Sequence, residues 1–160
     1  MKNNHAFIDS QNLNLSIRNL GWVLDFKKFR KYLSDKYFVT KAYVFIGFVE
    51  DNTNLYRFLQ EAGYIVIFRP TIKNRDGKIK GNCDSELVLN TVCGSYENLY
   101  EKALIISGDG DFYCLADFLI KKEKLEKFLI PNRSSYSALF RKIPIQHLAF
   151  VSDLKEKICK

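Results

Sequence analysis

The feature that most constrains this chain is an alternation. Short, almost wholly apolar segments rich in β-branched and aromatic residues take turns with longer stretches that repeat apolar residues every three or four positions. Residues 5–9 (HAFID), 41–46, 64–69 (YIVIFR, closed by Pro70), 103–106 and 127–130 (before Pro131) read as strands. Helices are expected over 25–36, with Asp25 as N-cap and Phe26, Phe29, Tyr32 and Leu33 on one face, and over 54–62, stopped by Gly63. Two more follow over 84–93 and 112–121, and shorter helical signals at 135–141 and 152–159 end the chain. Residues 71–83 show no period and read as a long loop. Strands this apolar need cover on both faces, and strands separated by helices pair in parallel. With right-handed crossovers the simplest arrangement is α/β, a three-layer α/β/α sandwich on a mostly parallel sheet of about five strands.

At 160 residues the chain has the length of one domain, and no linker or repeat divides it. A single domain over 1–160 is expected, its motifs within 5–130 and a helical extension over 131–160. A hydrophobic fraction of 47% excludes general disorder. No uncharged apolar run nears the roughly 18 residues of a membrane span, and even FVTKAYVFIGFVE contains Lys41. The start, MKNNHAFIDSQN, lacks the apolar core of a secretory signal, so a soluble, cytoplasmic domain with no membrane partner is expected. Cys83, Cys93, Cys114 and Cys159 form no CxxC pair, and only His5 and His147 could join them, which argues against structural zinc and a disulfide framework. The net charge of +7 favours a polyanionic partner.

In open parallel sheets, ligands sit beyond the carboxyl ends of the strands, where the winding reverses. Asp9 closes the first strand, and Asp109 and Asp111 follow the fourth in ALIISGDGDF. If the strand order is 3-2-1-4-5, Asp9 and Asp109 face each other across one crevice, and Asp84 can point in from the helix after the long loop. Each residue has a plainer role as well. Asp84, Asp109 and Asp111 stand where acids cap helices, and Asn12 suits a turn. Asp9, at the end of an apolar strand, is harder to explain that way. Two unit charges at about 4 Å repel by about 4 kcal/mol at an effective dielectric near 20, so such a cluster demands a bound cation, a shared proton or a basic neighbour. An all-oxygen donor set suits Mg²⁺ or Mn²⁺, with Ser107 and Asn12 hydrogen-bonding to ligand or to the carboxylates. The loop IKNRDGKIKGN sets Lys73, Arg75, Lys78 and Lys80 against Asp76, as suits a phosphodiester backbone beside a metal site. Tyr113 and Tyr136, if exposed, could stack on bases.

Three segments in this order, FIDSQNLN, KGNCDSELVLNTV and ALIISGDGDFYCLADFL, resemble the motifs of the NYN domain family, LabA-like members included, within the PIN-like nuclease group. With the elements between them they cover about residues 5–130. The resemblance implies a PIN-like fold and a metal-dependent endoribonuclease that hydrolyses RNA phosphodiester bonds with Mg²⁺ or Mn²⁺. By position, Asp9 and Asp109 match the family's central acids, Asp84 the acid of KG…D, and Asp111 the second acid of SGDxDF. Asn12 matches the asparagine of the first motif, Ser107 the serine before the final acids, and Lys80 the lysine of KG…D. Carried over, Asp9, Asp84 and Asp109 hold the ion and Asp111 completes the catalytic set or orients water. Asn12, Ser107, Arg75, Lys78 and Lys80 bind substrate. Two positions depart from the pattern: Ser10 and Gln11 replace a frequent Gly-Glu pair, and Asn90 stands where a further Asp often occurs.

The alternative keeps the fold as an RNA-binding or scaffold domain without turnover. A haloacid-dehalogenase-type phosphatase needs a second Asp two residues after the first, and position 11 is Gln. A P-loop is excluded by the lack of GxxxxGK[ST]. Pairing of two copies, with the tail as a surface, is in keeping with small nucleases of this architecture.

Overall fold

The structure, a computed structural model, describes residues 2–69 and 83–160, and between them only the backbone of 72–73 and 79–80. In chain order the elements are β1 (Asn4–Asp9), α1 (Ser10–Asn19), α2 (Phe26–Tyr37), β2 (Val39–Gly47), α3 (Thr53–Glu61) and β3 (Ile65–Arg69). There follow β4 (Ile72–Lys73), β5 (Ile79–Lys80), α4 (Asp84–Tyr96), β6 (Ala103–Ile106), α5 (Tyr113–Lys121), β7 (Leu125–Ile130), β8 (Leu148–Phe150) and α6 (Lys155–Ile158). Six strands form one parallel sheet in the order β3-β2-β1-β6-β7-β8. The chain winds outward from β1 to β3, returns to the other side of β1, and winds outward again through β8. This reversal places the ends of β1 and β6 side by side.

Residues alternate between two cores along the central strands. Ala6 and Ile8 of β1 face the layer that contains Leu13 and Ile17 of α1 and Phe29 and Leu33 of α2. Phe7 faces the opposite layer, with Leu87 of α4 and Leu115 and Leu119 of α5. All of these side chains are at most 2% exposed, and each of the Leu, Ile and Phe side chains contributes about 1.5–3 kcal/mol by leaving water. The three-layer α/β/α architecture is thus that expected from the apolar runs.

Four details differ from the sequence reading. The sheet gains a sixth strand, β8, so residues 131–160 are not only helical; they also supply a sheet edge and the 3-10 turns Ala138–Lys142 and Val151–Leu154. A helix, α1, starts directly at Ser10, where the expected elements include none. Within the supposed loop, β4 and β5 pair antiparallel. Tyr136 is not free for stacking, because it packs against Phe140 and Phe150, and Tyr113 lies against the same core. Among the described residues no helix is long and apolar enough to cross a membrane.

Candidate active site

The site forms where β1 and β6 end together, their registers running from His5 opposite Ala103 to Ile8 opposite Ile106. Asp9 ends β1 and caps α1, its Oδ1 accepting the Asn12 N–H at 3.1 Å. Its other oxygen accepts the Ser107 hydroxyl at 3.0 Å, and Ser107 Oγ in turn accepts the Asp109 N–H at 3.1 Å. Asn12 Oδ1 accepts the Gly108 N–H at 2.7 Å, so the junction of β1 and α1 grips the loop after β6 at two points. Asp109 caps the 3-10 turn Gly110–Phe112, with its Oδ1 accepting the Asp111 N–H at 3.0 Å. Asp84 opens α4 rather than capping it; the cap position is Cys83.

These local structures converge. One carboxylate oxygen each from Asp84, Asp109 and Asp111 lie within 4.8 Å of one another. Oxygens around one octahedral ion with bonds near 2.1 Å are separated by about 3.0–4.2 Å, so the three need only a small inward adjustment to share it. The donor set is all oxygen, which fits Mg²⁺ or Mn²⁺. Among the described residues the tight group is Asp84, Asp109 and Asp111 rather than the expected Asp9, Asp84 and Asp109. Asp9 instead lines, together with Asp84 and Asp109, a cavity of about 280 Å³ whose wall also includes Gln11, Asn12 and Cys83.

Burial pushes the Asp9 carboxyl above its ordinary value. The Asn12 N–H and the Ser107 hydroxyl pull it back down, and the Asp84 and Asp109 carboxylates raise it further. Neither Asp9, Asp109 nor Asp111 makes an ion pair with a described residue. Burial, reinforced by Glu86 and Asp9, also pushes the Cys83 thiol up to about 11.

Two residues expected to bind substrate have other duties. Ser107 is completely buried, so it positions Asp9 and Asp109 and touches no ligand. The amide oxygen of Asn12 is committed to Gly108, although the residue still lines the cavity. Arg75 and Lys78 lie outside the described residues, and of Lys80 only the backbone, in β5, is described. Asn90 donates to the Glu86 carbonyl at 2.8 Å along its own helix and does not line the acidic cavity. Gln11 does line it, bringing a neutral amide where a glutamate would add charge. The cavity residues overlooked in the sequence are Leu15, Cys83 and the end of β2, Phe45 to Gly47. The β2 end was recoverable from the rule that ligands lie at strand carboxyl ends. Leu15 carried no such signal.

No curated protein matches the chain. A crystal structure of a protein of unknown function from Vibrio parahaemolyticus has a TM-score of 0.78 to it at 20% identity, over 99% of this chain and 96% of that one. At that identity the likeness shows the fold. The sequence model of the NYN domain matches residues 5–144, a span holding every acid of the site. Strand order, acidic crevice and motif order therefore agree, and the chain belongs to the NYN domain family, within the PIN-like nuclease superfamily.

Proposed function

We propose that the protein is a metal-dependent endoribonuclease that hydrolyses RNA phosphodiester bonds. The observation that carries this reading is the grouping of Asp84, Asp109 and Asp111 at ligand spacing, beside a fourth acid, at the reversal point of a nuclease-type fold. These three side chains would hold Mg²⁺ or Mn²⁺. When bound, such an ion polarises the scissile phosphate and acidifies water. Ser107 and Asn12 tie the end of β1 at Asp9 to the Asp109 loop, so that the acids need little reorganisation. Asp9, whose proton affinity is raised by burial, is the group in the cavity suited to take a proton from the attacking water. As the water oxygen bonds to phosphorus, the bond from phosphorus to the leaving oxygen breaks, and solvent protonates that oxygen. Backbone cations of the substrate-binding kind would come from Arg75, Lys78 and Lys80.

The test is Asp109→Asn. Mn²⁺-dependent cleavage of a labelled RNA should fall by at least about a hundredfold, in line with the loss of a key electrostatic group, while the circular dichroism spectrum stays unchanged. Undiminished cleavage by this variant removes the assignment. Stabilisation of the wild-type protein by Mn²⁺ without any RNA product would favour the non-catalytic RNA-binding reading, to which Gln11 in the cavity wall lends some weight.

A further inference from the structure

A second cavity, of about 330 Å³, adjoins the acidic one and shares Gln11, Ile46 and Gly47 with it. Its volume falls within the ~300–1,000 Å³ of small-ligand pockets. Its lining differs in kind from that of its neighbour. Phe26, Leu55 and Leu59 supply apolar surface, while Gln11, Asn14 and Asn52 supply carboxamides. Gln11 and Asn14 are three residues apart on α1 and so share a face, and Asn52, at the cap position of α3, lines the same cavity. Among the described residues no acidic or basic side chain lines it. Such a pocket has nothing to neutralise a phosphate and nothing to hold a metal.

The chemistry it does offer is that of a base reader. Each carboxamide presents both a donor and an acceptor, and none of the three makes a side-chain hydrogen bond among the described residues. The complement of an apolar slot edged with amides is a flat ring carrying donors and acceptors on its rim. We infer that this pocket is a nucleobase subsite that takes one unpaired base of an RNA strand whose adjoining phosphate lies at the acidic cluster. The inference rests on the nuclease reading and deepens it, because it fixes the substrate class. A base inside an A-form duplex keeps its edges paired and stacked, so only single-stranded RNA, or a loop, can deliver one.

The experiment uses the full chain carrying Asp9→Asn, which leaves Asp84, Asp109 and Asp111 to hold Mg²⁺, and measures binding of a short fluorescent single-stranded RNA and of an abasic ribose-phosphate oligomer of equal charge. Adding Asn14→Ala and Asn52→Ala should weaken binding of the RNA about tenfold, as expected for two lost hydrogen bonds, and leave the abasic oligomer unaffected. Leu55→Trp, at a side chain already 36% exposed, fills the pocket without opening the core and should give the same pattern. Unchanged RNA binding in both variants, or equal weakening of both probes, overturns the subsite. If Asp109→Asn separately abolishes cleavage, the nuclease reading survives that result. Failure to bind either probe overturns both.

Discussion

Asp9 combines two roles that pull against each other. As a helix cap it accepts the Asn12 N–H, which favours its charge; as a buried acid beside Asp84 and Asp109 it resists ionising, and its raised proton affinity shows that burial wins. Between the ordinary carboxylate value and that raised value, the folded protein retains a proton that the unfolded chain has lost. Stability without metal therefore falls as pH rises through this window. Asp9→Asn should remove that slope and raise the metal-free Tm at pH 7 by a few °C, at roughly 2–4 °C per kcal/mol for a chain of this size, while cleavage is lost. Thermal melts in EDTA between pH about 4 and about 7 check this, and a lower Tm for the variant at neutral pH would refute it. A second residue-scale constraint is steric. A Cβ on Gly110, between Asp109 and Asp111, would overlap Ser137 Oγ and come within 2.8 Å of its Cβ. Gly110→Ala should cost about 1–3 kcal/mol in urea unfolding and weaken Mn²⁺ binding, and Ser137→Gly should restore both.

At the scale of elements, the sequence was legible wherever a period was long or a strand wholly apolar. The strand ending in Asp9, the fully buried β6 and the stripe on α2 were all visible in this way. What escaped notice has physical causes. The helix α1, SQNLNLSIRN, buries only Ser10, Leu13 and Ile17 and otherwise reads as polar chain; its strongest signal was the cap, Asp9, which had been read as a site residue. The strand β8 is three residues long, too short for a period, and exists because β7 offers it an edge. Ser107 and Asn12 offer hydrogen-bonding side chains, but which partners they take depends on the three-dimensional meeting of the start of α1 with the loop after β6. The chain end matters for the same tertiary reason. The Asp25 N–H donates to the Ile158 carbonyl at 2.8 Å and Lys28 Nζ to that of Cys159 at 2.9 Å, tying α6 to the start of α2. Ile158 is 1% exposed, and Ile158→Ala should cost about 2–5 kcal/mol by chemical denaturation. A cost below about 0.5 kcal/mol would mean that the tail is a surface appendage.

At the scale of the whole molecule, a basic protein of net charge +7 gathers acids at one point, the end of the sheet where its winding reverses. On the proposed reading the overall charge would draw a polyanion in, and the acidic cavity would repel it unless a cation intervened. That opposition is a second argument for a metal nuclease, and topology brings Asp84, from the start of α4, to Asp109 and Asp111, which one local turn already holds together. Crystals soaked in Mn²⁺ test it most directly. The account predicts an anomalous peak about 2.1 Å from oxygens of Asp84, Asp109 and Asp111, which disappears in Asp109→Asn. A saturating soak that leaves these three carboxylates without a peak would contradict it.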